Sequence, residues 1–169
     1  MQFKDLLRGT VLLVAIEATG LAAIAAFAIN RSGDDVLAAF ALGWWLIAIL
    51  GGIWLGRPAR TAAALAGPLS AARTVTSLPS ESPVRIAVNR LWPVALFAIL
   101  TGAAGPLLPQ VPAIAAGFAL GVAAAWRSRE AAVTAVEERD GVIFYVENGS
   151  ALEPVKLIRT PGLRRGRPA

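Results

Sequence analysis

The stretch Gly9 to Asn30, GTVLLVAIEATGLAAIAAFAIN, decides how the chain is read. A helix needs about twenty mostly apolar residues to cross the ~30 Å hydrocarbon core of a bilayer. This stretch has that length and carries one acid, Glu17, well inside it. A carboxyl at that depth is costly, so Glu17 is a candidate functional position.

Composition extends the reading to the whole chain. Of 169 residues, 56% are hydrophobic, against about 45–50% in an ordinary soluble domain. The mean hydropathy is +0.63. There is no cysteine, no histidine, and one methionine, Met1. Disulfides, thiolate or imidazole metal sites, and histidine acid–base catalysis therefore lack their residues. Haem and iron–sulfur ligation lose their usual donors in the same way. No cofactor is expected. The Ala, Arg, Gly and Pro bias associates the sequence with a GC-rich bacterial genome.

Before the first span lies the cationic leader MQFKDLLRG, with Lys4 and Arg8. A cleaved signal peptide is the rival reading, with small residues around Ala25 to Ala28. The apolar run exceeds the usual ~7–15-residue signal core, which favours a retained helix. The link from Arg31 to Asp35 is short and polar, and Asp34 or Asp35 suits a helix cap. A second span, VLAAFALGWWLIAILGGIWLG from Val36 to Gly56, ends at Arg57-Pro58. Trp54 reads as an interfacial aromatic, whereas Trp44 and Trp45 lie near mid-span.

Residues 57–88 read as a loop with a short surface-lying helix over Thr61 to Ala72, interrupted at Gly67-Pro68. The segment Thr74 to Pro83 reads as true loop. Ser82-Pro83 is a helix start, with serine at the cap and proline at the first helical position. The third span follows, about 89–106, with Pro93 expected to kink it. After the uncharged turn PLLPQVP comes the fourth span, about 111–127. Arg127 and Arg129 mark its exit.

The tail from Glu130 changes character. Asp140-Gly141 and Asn148-Gly149 are turn cues between β-prone runs. They predict strands near 132–138, 142–147 and 155–159. The alternative is that Glu130 to Arg139 prolongs the fourth helix. The end, Leu163 to Ala169 with Arg164, Arg165 and Arg167, reads as flexible. The expected fold is thus an all-α membrane protein. A four-transmembrane-helix bundle (1–129) carries a small cytoplasmic β-hairpin or three-strand appendage (130–169).

Charge sets the orientation. Lys4 and Arg8 precede the first span. Arg57, Arg60, Arg73, Arg85 and Arg90 lie between the second and third. Arg127, Arg129, Arg139, Lys156, Arg159, Arg164, Arg165 and Arg167 follow the fourth. Only Arg31 falls on the opposite side. The positive-inside rule then puts both termini in the cytoplasm, for a multi-pass protein of a bacterial inner membrane.

Small residues recur every fourth position on two spans: Ala48, Gly52 and Gly56 on the second, and Ala113, Gly117, Gly121 and Ala125 on the fourth. That period lets helix backbones approach closely. Packing inside the bundle is one use; contact with another subunit or a second copy is the other. Glu17 lies roughly 12 Å from the cytoplasmic edge by helix rise, and Thr101 roughly 15 Å. Trp45 falls near the same level. With no basic residue there, desolvation favours a neutral Glu17 carboxyl. Its expected use is a hydrogen bond to Thr101 or a backbone carbonyl, a contact to a partner subunit, or a proton-coupling site.

Four short helices with a lone glutamate in the first resemble the small multidrug resistance family. That resemblance implies that Glu17 couples protons to a cationic substrate. The long second loop, the tail and the third helix differ from that family's pattern. No glycine-rich phosphate loop is present, and no base accompanies Ser, Thr or Tyr for nucleophilic catalysis. Glu137, Glu138 and Asp140 offer oxygen ligands, but read as a solvated turn rather than a metal site. Juxtamembrane arginines attract anionic lipid head groups. No basic folded module for nucleic acid is evident. The sequence points to a non-catalytic accessory, scaffold or assembly subunit, partnered by lipid and another membrane subunit or its own copy. The alternative is a small proton-coupled transporter, acting as a dimer around Glu17.

Overall fold

A computed structural model describes residues 1–75 and 82–161. Six helices and a small sheet account for most of them. Helix α1, Phe3–Ser32, extends beyond the apolar run at both ends. Thirty residues rise about 45 Å, some 15 Å more than a bilayer core. Gly33 ends the helix with a left-handed φ of 65°, and its N–H donates to the Ile29 carbonyl. Asp34 then caps α2, Asp35–Leu55, where the Asp34 carboxylate accepts from the Leu37 N–H at 2.9 Å.

Helix α3, Pro58–Ser70, starts on a proline, which lacks the N–H that a first turn leaves unused. It buries Thr61, Leu65 and Leu69, one stripe at helical spacing. The expected interruption at Gly67-Pro68 is absent, because the helix runs through Pro68 to Ser70. Helix α4, Pro83–Ala104, has Ser82 at its N-cap position, without a side-chain cap hydrogen bond, and continues through Pro93. Helices α5, Gln110–Trp126, and α6, Arg129–Asp140, are separated by a two-residue turn. Four helices are long and apolar enough to cross a membrane: α1, α2, α4, and α5 with its continuation α6.

In this bundle α5 is central. It packs along both α1 and α2, while α1 and α2 scarcely touch each other. Helix α4 leans on α1 and α5. Its only buried residue is Ile86, near its start.

Strands β1 (Arg73–Thr74), β2 (Val142–Val146) and β3 (Leu157–Pro161) form one sheet in the order β1-β3-β2. β2 runs antiparallel to β3, with Phe144 opposite Arg159, and β1 is parallel to β3. The strand expected near 132–138 is helix α6. Its buried residues, Val133 and Glu137, are four apart with Ala135 between them exposed, a helical rather than a strand pattern. Asp140-Gly141 therefore closes a helix instead of turning a hairpin. Gly141 has a φ of 64° and donates its N–H to the Glu137 carbonyl. Left-handed glycine serves both purposes, which is why the dipeptide misled. The third strand comes instead from Arg73–Thr74, inside the segment read as loop or surface helix. Most of the loop expected over Thr74 to Pro83, and the tail expected to be flexible over Leu163 to Ala169, lie outside the described residues.

The sheet packs on the helices as a compact unit. One cluster buries Phe3, Leu6 and Leu7 of α1 with Leu65 and Leu69 of α3, Ile86 of α4, Val133 of α6, and Phe144, Val146 and Leu157 of the sheet. The extra turns of α1 are therefore part of this unit. The Val146 N–H also donates to the Met1 carbonyl at 3.0 Å, and Gln2 bridges to Tyr145.

Candidate functional site

Glu17 lies on α1 one turn before Leu21 and two before Ile24. Those two side chains meet Gly102 and Gly105 of α4. Helical spacing thus puts Glu17 on the seam between α1 and α4. Its Oε1 is buried and has no hydrogen-bond partner among the described residues. Thr101, the expected partner, directs its hydroxyl to its own helix, donating to the Phe97 carbonyl at 2.7 Å with Ala98 at 3.2 Å. Threonine in a helix readily bonds the carbonyl four residues back, which removes it from interhelical use. Trp45 is likewise engaged elsewhere: its indole N–H donates to the Ala113 carbonyl at 2.7 Å. Trp45 packs with Leu21, Ala25 and Ile29, one to three turns farther along α1 than Glu17, and Glu17 is bonded to neither Thr101 nor Trp45.

The small-residue stripes face each other across α2 and α5. A side chain at Gly52 would strike the Gly121 carbonyl oxygen and the Ala124 methyl. One at Gly56 would lie 2.7 Å from the Ala125 carbonyl oxygen. Gly121 sits against the backbone of Ala48. Gly117 has a separate role, because the Trp44 indole occupies the space that its Cβ would take. The Trp44 N–H donates to the Ile114 carbonyl at 3.0 Å. Ala113 is fully buried with Ala25, Ile29 and Ala41, close to Trp45.

The end of this interface is closed by a polar knot. Ser128, in the turn between α5 and α6, donates to the Gly56 carbonyl at 2.7 Å and lies 3.0 Å from the Thr61 hydroxyl. Three elements, the end of α2, the start of α3 and the α5–α6 turn, are joined by two hydroxyls.

The sheet unit carries its own polar anchors. Glu137 is 7% exposed, lies 3.5 Å from the Lys4 ammonium, and accepts the Phe144 N–H at 3.0 Å. One carboxylate thus ties α1, α6 and β2. The exposed Asp140 pairs with Arg139 at 2.7 Å, and that hydrogen bond holds its carboxyl below the usual range. Two of the three acids, Glu137 and Asp140, are thus taken up in separate contacts, and no metal-ligand cluster occurs among the described residues.

Arg90 reaches from α4 to the β2–β3 connection. Its guanidinium donates to the Glu153 carbonyl at 2.7 Å and packs on Gly149, and Asn89 bonds Asn148 beside it. Two more guanidiniums stack on indoles. Arg60 lies 3.6 Å from the Trp54 ring centre, and Arg129 lies 3.9 Å from that of Trp126. Trp44, Thr61, Ser128 and Arg90 went unmarked as partners in the sequence. Their only signal was a polar or amphipathic residue standing at or inside an apolar span.

No family model, curated protein or solved structure matches this chain. The functional reading therefore rests on its own residues.

Proposed function

We propose that this chain is a non-catalytic multi-pass membrane protein of a bacterial inner membrane, serving as an accessory or scaffold subunit. Its sheet unit and both termini face the cytoplasm in this reading. The observation that carries it is the continuity of α1 with the sheet unit. Phe3, Leu6 and Leu7 belong to the same buried cluster as Phe144 and Leu157. A folded module is thereby held rigidly on the helices instead of trailing on a linker. Helix α4 supports a partner role, since Val88, Phe97, Ile99 and Leu100 are at least half exposed. A site-specific photocrosslinker at Ile99 or Leu100, used in native membranes, tests this. A discrete protein adduct, lost when α4 is shielded by the purified partner, is expected. Adducts to lipid alone would contradict it.

A second reading is kept for one observation, the buried and unbonded Oε1 of Glu17. A carboxyl oxygen without a partner among the described residues is free to exchange a proton or to meet a group on a second copy. The reading as a dimeric, proton-coupled transporter expects Glu17→Gln to abolish substrate-driven proton release in proteoliposomes. Unchanged flux would remove it.

A further inference from the structure

We propose that the groove between α2 and α5 holds an acyl chain of an anionic phospholipid, whose phosphate is bound by Arg60 and Arg129. The inference rests on reading the four apolar helices as membrane spans. The groove has a volume of about 610 Å³ and runs from Trp44 and Phe118 to the two arginines. Trp44 and Phe118 meet edge to face at 5.2 Å and close its deep end. Its floor is the close seam of small residues, and its walls include Ile47 and Val122, both exposed to the side.

Length fits one leaflet. Trp44 to Leu55 covers about 16 Å of helix, and Gly117 to Trp126 about 14 Å. Half of a bilayer core is about 15 Å. The apolar part therefore ends where a phosphate would sit, and there the lining turns cationic. The groove lining contains no acidic residue to neutralise Arg60 and Arg129. Neither guanidinium makes a hydrogen bond or an ion pair among the described residues. Each is stacked on an indole face, which fixes its plane and leaves its N–H edges available to an oxyanion. Arg90 differs, because it is already engaged by the Glu153 carbonyl.

The test is native mass spectrometry of the full chain, purified in mild detergent and offered equal phosphatidylglycerol and phosphatidylcholine. One retained lipid is expected, with about tenfold preference for the anionic one. Removing two interfacial cations, Arg60→Gln with Arg129→Gln, should lower its retention about thirtyfold. The exposed Arg60→Gln alone should lower it about fivefold and serves if the double variant does not fold. Gly51 lines the groove and has open space above it, so Gly51→Leu should plug the groove without moving backbone. It should displace both lipids, whereas Arg31→Gln at the far end of α1 should change neither. Inorganic phosphate at equal concentration should not compete.

Equal retention of the two lipids, or unchanged retention in the arginine or Gly51 variants, would overturn the proposal. Competition by inorganic phosphate with no effect of Gly51→Leu would also overturn it, in favour of a soluble phosphate site. Alkaline carbonate extraction separates the two levels of failure. Protein released into the soluble fraction defeats the membrane reading, whereas membrane-retained protein without lipid preference defeats this inference alone.

Discussion

Around the sheet, the buried side chains are large: Phe3, Leu6, Leu65, Ile86, Val133, Phe144 and Leu157. Farther along α1, α2 and α5 they become small: Ala18, Ala25, Ala41, Gly52, Ala113 and Ala116. Val14, Leu21 and Ile29 of α1 are the larger exceptions. The polar contacts differ too. The sheet unit uses a buried carboxylate between an ammonium and a backbone N–H. The bundle uses indole N–H groups on helix carbonyls. In water, removing large apolar surface drives assembly, at roughly 25 cal/mol per Å². Lipid tails are as apolar as leucine, so burying leucine there gains little and close backbone approach matters more. The contrast is what one chain would show if its two ends folded in different solvents.

Substitutions that exchange the logic of the two ends test whether the contrast holds. The largest effect is expected at Phe144, which is 3% exposed in the centre of the sheet unit. Phe144→Ala should cost about 3–5 kcal/mol in denaturant unfolding of the purified protein. Next comes Gly52→Val in the bundle, where the added carbons meet the Gly121 carbonyl. Backbone cannot yield cheaply, so a loss of about 2–3 kcal/mol is expected by thermal unfolding in detergent. A neutral effect there would mean that α2 and α5 do not pack as described.

Glu137→Gln should cost about 1–2 kcal/mol, because the Lys4 ammonium loses its charged partner while the Phe144 N–H keeps an acceptor. Amide exchange at Phe144 is a direct readout. Trp45→Phe removes one indole bond to the Ala113 carbonyl and should cost only about 0.6 kcal/mol, the usual size of such contacts in bundles. Smallest is Thr101→Val, expected within about 0.5 kcal/mol, since the hydroxyl bonds only its own helix.

The four long apolar helices were legible because their signal is continuous: some twenty apolar residues need no partner to be recognised. Asp34 as a cap and Ser82-Pro83 as a start were legible for a similar reason, since each acts within one turn. The tail was less so. Val142–Val146 was placed well, and the next strand began two residues later than expected. Helix α6 was obscured by Asp140-Gly141, whose left-handed glycine suits a helix end as readily as a hairpin. Strand β1 has two residues, Arg73 and Thr74, and exists only because β3 lies beside it. No local pattern announces a strand of that kind. For Glu17, depth followed from counting residues, but rotation about the helix axis did not fix a partner. Thr101 stood at a plausible level, yet its hydroxyl had a nearer acceptor on its own helix.

In the proposed membrane arrangement the sheet unit and the α1–α2 turn lie on opposite sides of the bilayer. The chain has no cysteine, so single-cysteine variants report without background. Ser32, at the end of α1, and Ser150, in the β2–β3 connection, are both exposed. Ser32→Cys and Ser150→Cys would be treated with a membrane-impermeant maleimide in cells whose outer barrier has been opened. Ser32→Cys should label at once, and Ser150→Cys only after the inner membrane is lysed. Equal labelling of both before lysis would contradict that arrangement.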